Sequence, residues 1–152
     1  MIMKLEKAIK QSKFESPFQK AVINIIYTAN WLRDQQAALF KQYNILPQHY
    51  NVLRIIKGKH PEPVAPGDIK EVMLDKGNDV TRLVDKLVKT GLVKRSLCAE
   101  NRRKIDIQLT DKGLNFLKEL NEPMRKQYKT IKKQITENEA EILSDLLDKL
   151  RD

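Results

Sequence analysis

Between Pro66 and Leu109 the apolar residues change their period, and no other feature of the chain limits its fold as much. After Pro66, Ile69, Val72 and Met73 fall at helical spacing; beyond Asp75-Lys76-Gly77-Asn78, the residues Val80, Leu83, Val84, Leu87 and Val88 resume it as i, i+3, i+4, i+7, i+8. Gly91 is placed to follow a helix C-terminus. Then the period shortens: Leu92–Leu97 and Lys104–Leu109 are strand-like, the second with strict alternation of Ile105, Ile107 and Leu109. Two short helices joined by a glycine-containing turn, followed by a hairpin, predict a helix-turn-helix with a wing. The stretch between the strands, Cys98-Ala99-Glu100-Asn101-Arg102-Arg103, makes the tip of that wing basic.

The flanking segments read as helices with explicit ends. Ser16-Pro17 with Gln19 supplies a capping hydroxyl, a proline at the first helical position and a capping-box glutamine. Phe18, Val22, Ile25, Ala29, Leu32, Gln36 and Leu39 then mark one stripe. At 1.5 Å per residue the stripe is roughly 35 Å long, which outruns the core of one small chain, so part of it is expected to pack on a second chain. Before it, Met3–Lys13 reads as a short amphipathic helix with Leu5 and Ile9 on one side. A helix is expected from Pro47 to Gly58 with Leu53 and Ile56 inward, and Lys59-His60-Pro61-Glu62-Pro63 must be a loop. Thr110 caps a helix through Leu114, Leu117 and Leu120, with Pro123 placed to kink it. Thr136 and Glu139 form a capping box for a last helix bearing Ile142, Leu143, Leu146, Leu147 and Leu150. The fold class is therefore mainly α with a small β-hairpin wing, a winged helix-turn-helix between N- and C-terminal helices.

Composition narrows the function. The 152 residues fit one compact domain, and the longest apolar run is Ala37–Phe40, so no transmembrane helix is expected. Lys4, Glu6, Lys7 and Lys10 interrupt any signal peptide, and a soluble, cytoplasmic protein is expected. One cysteine, Cys98, and two histidines, His49 and His60, make neither a disulfide nor a zinc site, and no cofactor is expected. Gly58-Lys59-His60 lacks the preceding glycine of a phosphate loop, and no metalloprotease or nucleophile-elbow motif occurs, so an enzyme is not expected. The formal charge is +9, and its excess lies in the first two-thirds: residues 1–69 carry ten basic and five acidic groups, residues 70–104 ten and five, residues 105–152 nine and ten. From Lys94 to Lys104, five cations oppose only Glu100. That concentration points to a polyanion partner, against the alternative of an ordinary solvated surface.

The run from Asn78 to Arg95, then Asn101-Arg102-Arg103, then Leu109-Thr110-Asp111-Lys112-Gly113, resembles the MarR family of bacterial transcriptional regulators in order and spacing. The resemblance extends back through Leu46–Arg54 and forward to the terminal capping box, about residues 16–150. It implies a homodimer of single-domain chains, with residues 1–45 and 111–152 interlocking as dimerisation helices and 46–110 as the DNA-binding lobe. It also implies that the second helix of the motif enters the major groove while the wing reaches the minor groove of double-stranded DNA, and the twofold axis then calls for an inverted-repeat operator. One departure is visible: the family's wing usually reads Asp-Arg-Arg, and Asn101 can offer only a neutral hydrogen bond where an aspartate would hold an arginine by charge.

Because Val80 to Val88 present their apolar side chains to the core, Asn78, Asp79, Thr81, Arg82, Asp85, Lys86 and Lys89 are left outward. Asn78 can offer its amide to adenine, Thr81 its hydroxyl or methyl, and Arg82 its guanidinium to guanine or phosphate. Alternatively Asn78 caps the helix and Arg82 pairs with Asp85 or another carboxylate. Asp79 and Asp85 would repel phosphate and are expected outside the contact surface. Lys86 and Arg95 join the expected DNA-binding set, and Arg102 and Arg103 are expected in the minor groove, where only a protruding support can deliver a guanidinium; the plain alternative is a pair of solvated turn arginines. Cys98 is either an oxidant sensor or, more simply, a small hairpin residue. The resemblance further implies a small aromatic effector, for which Tyr27, Trp31 and His49 are the expected lining; the competing role is core and dimer packing. Two other functions stay open at this stage: a winged-helix module that docks an acidic protein, and a nonspecific architectural DNA binder, which would show steep salt dependence without sequence preference.

Overall fold

The computed structural model describes residues 3–101 and 103–152. The elements in chain order are α1 (Leu5–Ala8), α2 (Pro17–Lys41), α3 (Pro47–Lys59), α4 (Pro66–Val72), α5 (Val80–Lys89), β1 (Val93–Leu97), β2 (Ile105–Leu109), α6 (Asp111–Lys132) and α7 (Glu137–Leu150). They fall into two compact units, one running to Tyr50 and the other Asn51–Asp152.

In the first unit α1 is far shorter than the amphipathic segment suggested. It ends at Ala8, and Lys10 turns the chain at φ +54. A single helical turn gains little against its nucleation cost; buried Leu5 and the ion pair between Glu6 and Lys20 of α2 tie it down. That ammonium holds the Glu6 carboxyl below its ordinary pKa of 4.5. Ser16 accepts the Gln19 N–H at 3.2 Å as expected, but the Gln19 side chain reaches back one residue further, to the Glu15 N–H at 2.8 Å. At the other end Asn44, at φ +55, closes α2 with bonds from Asn44 N–H to Lys41 O (3.1 Å) and Ile45 N–H to Phe40 O (3.4 Å). Phe40 is fully buried, with its ring 4.8 Å from that of Tyr50. It is the only buried residue of α2: Phe18 is 82% exposed, and Val22, Ile26, Tyr27 and Trp31 are exposed with it.

The second unit holds the winged helix. Leu53, Ile56, Ile69, Val84, Leu87, Ile107 and Leu120 make its fully buried centre. Ile69 and Met73 are buried, whereas Val72, the last residue of α4, is exposed. α5 ends in a Schellman motif: Leu92 N–H donates to Leu87 O (3.0 Å) and Gly91 N–H to Val88 O (2.9 Å), with Gly91 at φ +72, where an L side chain is strained. β1 and β2 pair antiparallel, Val93 with Leu109, Arg95 with Ile107 and Leu97 with Ile105. An isolated bridge joins Val64 to Ile107. Thr110 caps α6 by accepting the Gly113 N–H at 3.0 Å, and α6 runs on with Pro123 inside it. The capping box of Thr136 and Glu139 forms at α7, which buries no residue: Ile142, Leu143, Leu146 and Leu150 are all at least half exposed.

Candidate nucleic-acid interface

The turn between α4 and α5 is built from short side-chain bonds. Asp75 Oδ1 accepts the Gly77 N–H (2.9 Å), Asn78 Nδ2 donates to Asp75 O (3.2 Å), and Leu74 N–H donates to Asn51 Oδ1 (3.0 Å). Lys70 Nζ donates to Asn78 O at 2.6 Å. Asn78 is therefore part of the turn, not of the helix, and it does not cap α5. Asp79 does, through a bond from Arg82 N–H to its Oδ1 at 3.2 Å. The reason is local chemistry: Asp79 is the residue immediately before Val80, where a short acceptor side chain meets the free N–H groups of the first turn and complements the helix dipole.

Beyond that cap Thr81 and Arg82 are exposed on the first turn of α5, and Lys86 is half-buried one turn on. Arg82 does not pair with Asp85. That carboxylate instead accepts from Arg95 Nη1 of β1 at 2.8 Å, so Arg95 reaches the surface already tied to the helix. At the wing tip Asn101 Oδ1 accepts the Arg103 N–H (3.1 Å), while Asn101 O accepts the Lys104 N–H (2.8 Å). The Asn101 side chain thus bonds a backbone N–H and not an arginine side chain, and the Asn101 carbonyl, by holding Lys104 in the turn, starts β2 at Ile105 instead of Lys104. Arg103 is exposed, and Arg102 lies outside the described residues. Cys98 is half-buried at the base of the tip, its N–H bonded to Lys104 O at 3.0 Å. The geometry thus sets exposed Thr81 and Arg82 on a capped helix beside a projecting basic hairpin, an arrangement suited to a groove flanked by phosphates.

In the first unit Tyr27 and Trp31 line a cavity of about 270 Å³ with Met3, Ala8 and Thr28. His49 is not among these residues; it is buried, and its Nδ1 accepts the Leu46 N–H at 2.9 Å, the return half of a capping box at the start of α3. Among the described residues no group of three or more His, Cys, Asp or Glu could hold a metal ion, and no helix is long and apolar enough to cross a membrane.

No family model matches the chain. A crystal structure of a MarR transcription factor from Planctomyces limnophilus is 33% identical and superposes with a TM-score of 0.69, covering 90% of this chain and 98% of that one. The chain belongs to the MarR family. The Escherichia coli HTH-type transcriptional regulator PrsX is 29% identical, over 96% of this chain and 91% of its own, and E. coli PapX is 26% identical, over 96% and 92%. These relatives are transcriptional regulators, not enzymes. The fold also matches that of the S. aureus MepR–DNA complex, with a TM-score of 0.72 at 18% identity over 84% of this chain and 93% of that one. The chain is thus a winged-helix protein of a family of DNA-binding transcriptional regulators.

Proposed function

We propose that the protein binds a specific inverted-repeat DNA site as a homodimer, with residues 1–45 and 111–152 as the dimerisation region of a single domain and 46–110 as its DNA-binding lobe. Asn78, Thr81, Arg82 and Lys86 face the major groove, Arg95 the backbone, and Arg102 and Arg103 the minor groove. The observation that carries this reading is the pairing of an Asp79-capped helix exposing Thr81 and Arg82 with a hairpin whose tip exposes Arg103. Dimerisation is supported by two apolar helix faces that one chain leaves in water: Phe18 and Val22 on α2, and Ile142, Leu143, Leu146 and Leu150 on α7. Exposed apolar side chains grouped on a helix face in this way mark an interface. Equilibrium sedimentation with and without duplex tests it directly. A dimer at micromolar concentration, and one dimer per bound duplex, is expected; a monomer in both states contradicts the reading.

Regulation by a small aromatic effector is part of the same proposal, supported by the cavity beside Tyr27 and Trp31. Trp31 is the single tryptophan and reports on it. An aromatic ligand that weakens operator binding must itself bind more weakly, by the same factor, to the DNA complex.

A further inference from the structure

The wing leaves the body of the protein in two stages. At its root it is held by burial: Val93, Ile107 and Leu109 are 5% exposed or less, and Ile107 exchanges two backbone bonds of 2.9 Å with Val64. Outward from there burial stops. Leu97 is 65% and Ile105 37% exposed, although they form the next cross-strand pair on the same face as Arg95 and Ile107. Between root and tip stands one charged contact, Arg95 of β1 on Asp85 of α5, at 2.8 Å. Among the described residues it is the outermost ion pair joining the hairpin to the recognition helix.

We propose that Asp85 is a positioning residue for DNA binding: through Arg95 it fixes the angle of the wing against α5 without touching DNA itself. The inference rests on the DNA-binding reading above. It is a matter of leverage. From Arg95 the strand runs on to the last cross-strand bond at Cys98, three residues or about 10 Å at 3.3 Å per residue, so a swing of about 10° about Arg95 displaces the base of the tip by about 1.7 Å. That shift exceeds the range over which a hydrogen bond survives. The pair is half solvated, with side chains 38% and 44% exposed, so its weight in folding stability is small. Its consequence lies in where Arg103 is held.

Charge alone predicts the opposite sign. Removing a carboxylate near a phosphate backbone strengthens binding, and if Arg95 were a free phosphate contact, Arg95→Gln would weaken it while Asp85→Asn strengthened it. The positioning role makes both substitutions weaken binding to a selected operator, Asp85→Asn by about tenfold and Arg95→Gln by at least as much, and makes the double variant no worse than Arg95→Gln alone, because Asp85 acts only through Arg95. Asp85→Glu, which can still reach Arg95, restores most of the affinity. Thermal unfolding midpoints stay near that of the parent. Hydrogen exchange of the free proteins supplies a readout that needs no DNA: amides from Leu97 to Ile105 exchange faster in Asp85→Asn and in Arg95→Gln, and the amides of α5 do not. Stronger operator binding by Asp85→Asn, additive losses, or unchanged exchange in the wing would each overturn the proposal. Faster wing exchange in a protein that binds no duplex would instead refute the DNA-binding reading alone.

Discussion

Replacing Gly113 by alanine puts a methyl group where the chain leaves no room for one. Gly113 lies in the first turn of α6, and a Cβ there would stand 2.0 Å from Leu92 O, 3.0 Å from Leu92 C and 3.1 Å from Leu109 Cδ2. The closest of these atoms is backbone and is already engaged: Leu92 O accepts the Thr110 N–H at 3.1 Å and the Thr110 hydroxyl at 3.2 Å. Relief therefore requires α6 to lift from the root of the wing. Overpacking of this kind costs about 1–3 kcal/mol, and contact with an immovable carbonyl places it near the top of that range. Loosening the Thr110 cap adds about 1 kcal/mol, and the better helix propensity of alanine returns about 1 kcal/mol. The net loss is about 3 kcal/mol, which in a chain of this size lowers Tm by about 6–12 °C. Thermal unfolding by circular dichroism, at one fixed protein concentration because dimerisation shifts the midpoint, measures it. Gly58→Ala is the control: no atom lies within 4 Å of its Cβ, and inside α3 the substitution should stabilise by up to about 1 kcal/mol. A Gly113→Ala protein as stable as the parent would refute the steric reasoning.

Three further outcomes are expected. The Thr136 N–H and hydroxyl hold the Glu139 carboxyl below its ordinary pKa of 4.5; a carboxyl depressed in the folded state contributes stability above its unfolded pKa and loses it as pH falls through the folded value. The gap in Tm between the parent and Glu139→Gln should therefore be full at neutral pH and close below 4.5, and a gap that persists unchanged in acid contradicts the assignment. Arg103→Ala should weaken binding to most duplexes and reduce the slope of log K against log salt by about 0.9 if it removes one phosphate contact; unchanged DNA affinity would favour the protein-docking role for the wing. Leu146→Asp on the exposed face of α7 should give a folded monomer by sedimentation, since that side chain is 59% exposed in the single chain; a persistent dimer places the interface elsewhere.

What was legible in the sequence was what local chemistry decides. Ser16, Thr110 and Thr136 each cap the helix they were expected to begin, and Gly91 takes the positive φ that its position demands. Caps and turn glycines act within a few residues, so their spacing along the chain is enough to read them. The misses come from choices between neighbours and from contacts across elements. Asn78 and Asp79 are both good caps, and the choice fell to Asp79 because Asn78 is held in the turn by Asp75 and Lys70. Asp85 could be paired in sequence with Arg82 three residues away; its true partner, Arg95, comes from a strand whose register no helical spacing reveals. Likewise α1 stops at Ala8 although its apolar pattern continues to Ile9, since periodicity marks which face is apolar but not whether a single turn can sustain itself.

Selection of bound duplexes from a random pool, followed by affinity measurements at several salt concentrations, tests the central claim most directly. The proposal that two winged lobes read DNA about a twofold axis predicts an inverted repeat with half-sites about one helical turn apart, held at least about a thousandfold more tightly than scrambled sequence. Recovery of unrelated sequences bound equally well, with a steep salt dependence and no repeat, would contradict it and identify a nonspecific DNA binder.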